Sequence, residues 1–303
     1  MNHAIQIIIS IMLACVPALI WGYIYYKKHP EKRSTVILTF AVGALAVFPI
    51  LFYKFLWQFF PWINAFKLAD YYHNDLIGFS NLTIVPLSVI ITFLFVGVIE
   101  EIMKMLSVKV SDDDEIKNVD DAIEFFILAA LGFSFTENIL YFYNIWISQG
   151  PSNLLMPFLF RSTFSTFAHL MFSGILGYYY GTAHFAKPIL QEELKAKRKQ
   201  WVQKIHNIFH FKKEGIFYKE IILEGLLISI GLHAIFNIVL EMNLNFLIVP
   251  FLVGGYKTLN YYFEKKENHK EYGKVLAYAR NHPHPKTGVY FERKALKKDH
   301  AEA

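Results

Sequence analysis

An all-α, polytopic membrane helix bundle of about seven spans is predicted by three observations. Hydrophobic residues make up 54% of the 303 and charged residues only 18%, against about 25% charged in a soluble domain. The apolar residues fall in blocks of twenty or more, the length that crosses a hydrocarbon core. Basic residues alternate between the connectors of those blocks, as the positive-inside rule requires.

The spans read 3–26, 34–57, 82–107, 121–147, 154–185, 218–240 and 244–263. The first has no Lys or Arg before Gln6, is long for a cleavable leader and is followed by Lys27 and Lys28. It is therefore expected to be a retained helix with its N-terminus outside. The connector with Lys27, Lys28, Lys32 and Arg33 is basic, as are the 186–217 loop and the stretch after Phe263. The alternating connectors are poor in basic residues, with Lys67 alone in 58–81 and none in 148–153 or 241–243. Seven spans with this alternation give an N-out, C-in multi-pass protein of the cell membrane.

Residues 1–263 form one membrane domain, and 264–303 a basic tail containing His282-Pro-His-Pro-Lys286. Within 186–217, the charged stretch Gln191–Trp201 is expected to form an amphipathic surface helix. The net charge of +5 is then membrane-surface charge facing anionic lipid headgroups, with no nucleic-acid partner. The acidic run Asp112 to Glu115 is expected to cap the helix that follows it. Cys15 is the only cysteine, so disulfides and Cys-ligated metal sites are excluded.

Polar groups concentrate in spans three to six. Span three carries Glu100, Glu101 and Lys104. An acid at bilayer depth costs about 2.5–3.5 kcal/mol on insertion scales, so an adjacent pair requires compensation. Glu100 and Lys104 are four apart and share a face, which suits an ion pair, while Glu101 points about 100° away. A pair snorkelling to cytoplasmic water is the plainer reading. Span four carries Phe133, Glu137 and Tyr141 at four-residue intervals, with Asn138 beside Glu137. Glu137 lies too deep to snorkel and must meet a donor inside the bundle. Span five places Arg161, Ser165, His169, Ser173, Gly177 and Gly181 on one stripe, its small residues allowing close helix approach. Span six carries His233 and Asn237, also four apart, which can donate two hydrogen bonds to a developing oxyanion. Neighbouring packing of these four spans would enclose a polar chamber within the bilayer.

Glu100-Glu101-Ile-Met-Lys104, Phe133-Ser-Phe-Thr-Glu137 with Asn138 and Tyr141, His169, and His233-Ala-Ile-Phe-Asn237 resemble the PrsW family of intramembrane proteases. The wider superfamily includes the type II CAAX prenyl endopeptidases. The resemblance implies hydrolysis of a membrane polypeptide, such as a single-span anti-sigma-factor-like regulator. It implies Glu100 as the general base, with Glu101 as its paired acid. Glu137 and His169 would orient the water or a metal, and His233 and Asn237 would hold the tetrahedral intermediate. Lys104, Asn138, Tyr141 and Arg161 would support them. Glu100, Glu137, His169 and His233 can ligate Zn2+ with an open water position, and a metal-free glutamate mechanism would use the same residues. The chain has Glu137 where CAAX-type relatives have His, and EExxK in place of EExxxR. The alternative function is a proton- or ion-coupled transporter using the same acids and imidazoles as a relay. Against it, no internal repeat is visible.

Overall fold

The computed structural model describes residues 3–261 except 29–32, 73, 81–82, 112–115, 185–189, 191–193, 195–199 and 210–211. The predicted tail 264–303, the acidic run 112–115 and part of the 186–217 loop lie outside the described residues.

Helix α1 (His3–Lys28) matches the first predicted span. The second is two helices, α2 (Arg33–Leu45) and α3 (Phe48–Leu56), with Pro49 in the first turn of α3. That position suits proline, because the amide it lacks has no partner inside the helix anyway. After a short helix α4 (Lys67–Tyr71), strands β1 (Leu76–Ser80) and β2 (Thr83–Pro86) pair antiparallel. The predicted third span is corrected here, since residues 83–86 are strand and α5 runs Leu87–Ser111. Thr83, Ile84 and Val85 are β-branched, and the residue before Pro86 is pushed towards extended backbone. The bundle thus carries one small hairpin that an all-helical prediction omits.

Helix α6 (Val119–Gln149) is the central rod, buried along its first half. Its cap also differs from the expected one. The Asn118 side chain accepts from the Asp121 amide at 2.9 Å, and Asp121 accepts from the Lys117 amide at 3.0 Å. Together they satisfy donors left open at a helix start. The helix ends at Gly150, whose φ of 86° is open to glycine at little cost. The fifth span is interrupted: α7 (Leu155–Phe160), a π-helical turn (Arg161–Ser165), then α8 (Thr166–His184). Helices α9 (Gln200–Phe209) and α10 (Lys213–Glu241) follow, and residues 248–261 are again helical.

Among the described residues, four helical stretches are long and apolar enough to cross a membrane by themselves: His3–Tyr23, Ser34–Leu56, Val119–Gln149 and Gly215–Glu241. Helix α6 packs on α1, α2 and α8, while α10 packs on both α8 and α5, and α5 on α2 and α6. Glycine permits the α6–α8 contact. A Cβ on Gly177 would stand 2.8 Å from the Ile123 Cα, and one on Gly181 3.0 Å from the Val119 Cα. This is close packing by small residues, as the span-five stripe predicted. Spans three to six therefore are neighbours, and the polar residues they carry meet.

Candidate active site

Helix α5 divides its two acids between different jobs. Glu101 is fully buried, and both its oxygens are occupied. Lys104 Nζ donates to Oε1 at 2.7 Å and His233 Nδ1 approaches the same oxygen at 2.8 Å. The Ser229 hydroxyl donates to Oε2 at 2.8 Å. The expected Glu100–Lys104 pair is therefore corrected: Lys104 pairs with Glu101, three residues away. Neighbours at three and four residues are equally placed on a helix. What decides is His169, whose Nδ1 receives a second Lys104 hydrogen bond at 3.0 Å from the α8 side. Phe133, on α6, covers the ammonium, with its ring centroid 4.8 Å from Nζ.

Glu100 has the opposite situation. Its Oε2 is buried without a hydrogen-bond partner, and the closest cationic or imidazole nitrogen is His233 Nε2 at 3.6 Å. Its side chain keeps 14% exposure, against none for Glu101. One carboxylate is spent on structure and the other is left open.

Glu137 meets the donor its depth demands. Arg161 Nη2 donates to Glu137 Oε2 at 2.6 Å, and His169 Nε2 stands 3.0 Å from the same oxygen. Arg161 also donates from Nε to Asn138 Oδ1 at 2.6 Å and lies over the Tyr141 ring, 4.4 Å from its centroid. The π turn makes this geometry. It adds one residue to the turn, so the Thr166 amide bonds back to the Arg161 carbonyl five residues earlier. Arg161 accordingly stacks above Thr166 and not Ser165, and the predicted four-residue stripe is broken at its first step. Thr166 Oγ1 in turn lies 3.2 Å from Ser134 Oγ and accepts from Asn138 Nδ2 at 3.3 Å.

Donor logic orients the whole array. Lysine only donates, so His169 Nδ1 accepts and its ring proton sits on Nε2, towards Glu137. A carboxylate accepts, so His233 carries a proton on Nδ1 and turns Nε2 towards Glu100. The two imidazoles lie edge to face, 5.1 Å between centroids, and Phe172 stacks on His233 at 5.4 Å. Asn237 is half-buried one turn beyond His233, and no hydrogen bond among the described residues engages its amide. Ser229 was missed in the sequence. Its signal was present, because residues 229, 233 and 237 are spaced by four on one face of α10.

Glu100, His169 and His233 present ligand atoms that all lie within 4.8 Å of one another. One carboxylate and two imidazoles is a donor set of catalytic zinc sites. The partnerless Glu100 oxygen and the Glu101-held His233, a carboxylate–histidine pair of the kind that orients metal ligands, fit such an ion. His169 would have to exchange one of its present hydrogen bonds for it. Glu137 lies outside this set, with Oε2 held by Arg161.

The comparisons with known proteins agree with one another. Residues 31–256 match the family described as PrsW family intramembrane metalloprotease. A protein called Protease PrsW from Geobacillus kaustophilus (strain HTA426) is 29% identical over 169 residues, covering 54% of this chain and 62% of that relative. One of the same name from Oceanobacillus iheyensis is 25% identical over 252 residues, covering 81% of this chain and 90% of its own. No solved structure matches the chain significantly.

Proposed function

The chain belongs to the PrsW family of intramembrane metalloproteases, and from that membership we propose that it is an endopeptidase acting on a membrane polypeptide, with Glu100 as the base that activates water. The observation that carries this assignment is the asymmetry of the acid pair. Glu101 has both oxygens bound, whereas Glu100 keeps a buried, partnerless oxygen. A general base must keep a lone pair within reach of the proton it removes.

In this mechanism Glu100 takes a proton from a water beside His233 Nε2 as the oxygen attacks the scissile carbonyl carbon. The proton then passes from Glu100 to the leaving amine. Asn237 donates its free amide N–H to the developing oxyanion, and His233 joins it once Nε2 carries a proton. Such preorganised donors typically contribute about 100- to 1000-fold in rate. Glu101, Lys104 and Ser229 hold His233 in its tautomer. Arg161 and Glu137 hold His169. A divalent metal, if bound by Glu100, His169 and His233, would acidify a coordinated water and polarise the carbonyl.

The seven-span, N-out, C-in arrangement in the cell membrane is part of the same proposal, as is a single-span protein for substrate. Anionic lipid headgroups at the basic loop and tail belong to it too. The test uses purified full-length protein and a single-span candidate. Glu100→Gln should abolish cleavage while leaving thermal stability near wild type. Undiminished cleavage by that variant removes Glu100 as the base.

A further inference from the structure

On the other flank of Glu100 lies an apolar cavity of about 330 Å3, lined by Ile50, Tyr53, Ala65, Phe95, Ile99 and Met103 among others. At 100° per residue, Glu101, Lys104 and Gly97 lie on one side of Glu100 around α5, towards α8 and α10. Ile99 and Met103 lie about 100° and 60° to the other side. Glu100 therefore stands on the border between the polar network and the cavity. The two compartments share a wall, because Met103 and Ile50 pack on the cluster containing Phe133, the ring that covers Lys104.

The outer wall is built and fixed. The Tyr53 hydroxyl donates to the Ile63 carbonyl at 2.7 Å and accepts from the Ala65 amide at 3.2 Å. A run of ring contacts, Tyr53–Trp57, Trp57–Phe66 and Phe66–Phe95, ties that loop to α5 with centroid separations of 5.2, 5.1 and 5.9 Å. None of the lining residues is charged, and the one hydroxyl is already used. The wall has nothing to hold a lipid headgroup, and the volume is too small for a whole helix about 10 Å across. It suits a side chain.

We propose that this cavity receives one large aliphatic or aromatic side chain of the polypeptide being cut, next to the scissile bond, and so sets which bonds are hydrolysed. A peptide whose carbonyl faces Glu100 has a neighbouring side chain directed at Ile99 and Met103. Burying that side chain supplies binding energy that positions the bond for attack. The inference rests on the proteolytic reading, and the two are tested separately.

The probe is an Ala/Val-based single-span peptide in phosphatidylcholine nanodiscs, with one Phe stepped through its middle third, beside a Phe-free parent. Because Cys15 is the only cysteine, a Cys15→Ala, Ala65→Cys, Glu100→Gln chain carries one thiol on the cavity wall and cannot cut. Phe peptides at one or two adjacent positions should slow its labelling by N-ethylmaleimide about tenfold, and the parent should not. Equal labelling with all peptides overturns the proposal. So does protection without peptide that follows lipid acyl length. In parallel, Ala65→Trp in the otherwise native chain should lower the ratio of cleavage rates, favoured Phe peptide over parent, about tenfold. Protection without any cleavage by the native chain would sink the protease reading and keep the cavity. Glu100-dependent cleavage indifferent to Phe would do the reverse.

Discussion

At the scale of single residues, adjacent glutamates in one helix have unlike roles because different helices face them. Glu101 is enclosed by Lys104, Ser229 and His233. Glu101→Ala leaves a buried ammonium short of its counter-charge, which typically costs about 3–5 kcal/mol. The variant should lose thermal stability in detergent, read by thermal unfolding, whereas Glu100→Gln should lose turnover only. Similar melting temperatures for the two would contradict this division. Arg161→Met removes the clamp on Glu137 but nothing that touches substrate. Loss of such outer contacts costs about 10- to 100-fold in activity. It should appear in kcat with KM little changed, and Arg161→Lys should recover only part of it, since a point ammonium cannot reach both Glu137 and Asn138. Apart from Ser229, the sequence named these residues by depth and spacing. It could not pair them, because Lys104 is a helical neighbour of Glu100 and Glu101 alike and the choice is made by α8.

At the scale of elements, the departures from regular helix mark the places where sequence periodicity misled. Hydropathy sees only a long apolar block in 154–185, and nothing in its composition shows the π turn at Arg161–Ser165. Deleting Ser162 should restore an α-helical turn and rotate Arg161 by about 100° relative to α8. Cleavage should collapse while the purified protein stays monodisperse with native helical content. Survival of activity would show that the extra residue is dispensable. Likewise, the block 82–107 hid the hairpin, because alternating and continuous apolar runs look alike over five residues. The helix contacts were more readable, since small residues at intervals of four announced the α6–α8 seam. Gly97, which the sequence reading did not single out, allows an equally close approach of α5 and α10. A Cβ there would lie 3.1 Å from the Ile230 carbonyl oxygen and 3.7 Å from the His233 Cβ. Gly97→Val should push the helices apart, lengthen the Glu101–His233 contact and lower both stability and turnover.

For the molecule as a whole, span counting and chemistry compete for the same residues. The described helices that qualify as membrane-crossing on length and composition leave out α5 and the π-interrupted span five. Those are the segments that carry Glu100, Glu101, Lys104, Arg161 and His169. In α5 the trio Glu100, Glu101 and Lys104 breaks the apolar run, whereas α6 carries Glu137 and still qualifies. For the proposed seven-span arrangement, a fluorescent reporter fused after residue 263 should report the cytoplasmic side and one fused ahead of residue 3 the opposite side. The same side for both would break the proposed orientation.

Helix α10 supplies His233 and Ser229, and the ribosome delivers it more than a hundred residues after Glu100. Until it arrives, Glu101 lacks two of its three partners and Glu100 has no imidazole from that side. A nascent copy that stops short of α10 should therefore hydrolyse nothing, and the proposed chemistry becomes available only once that helix has been added.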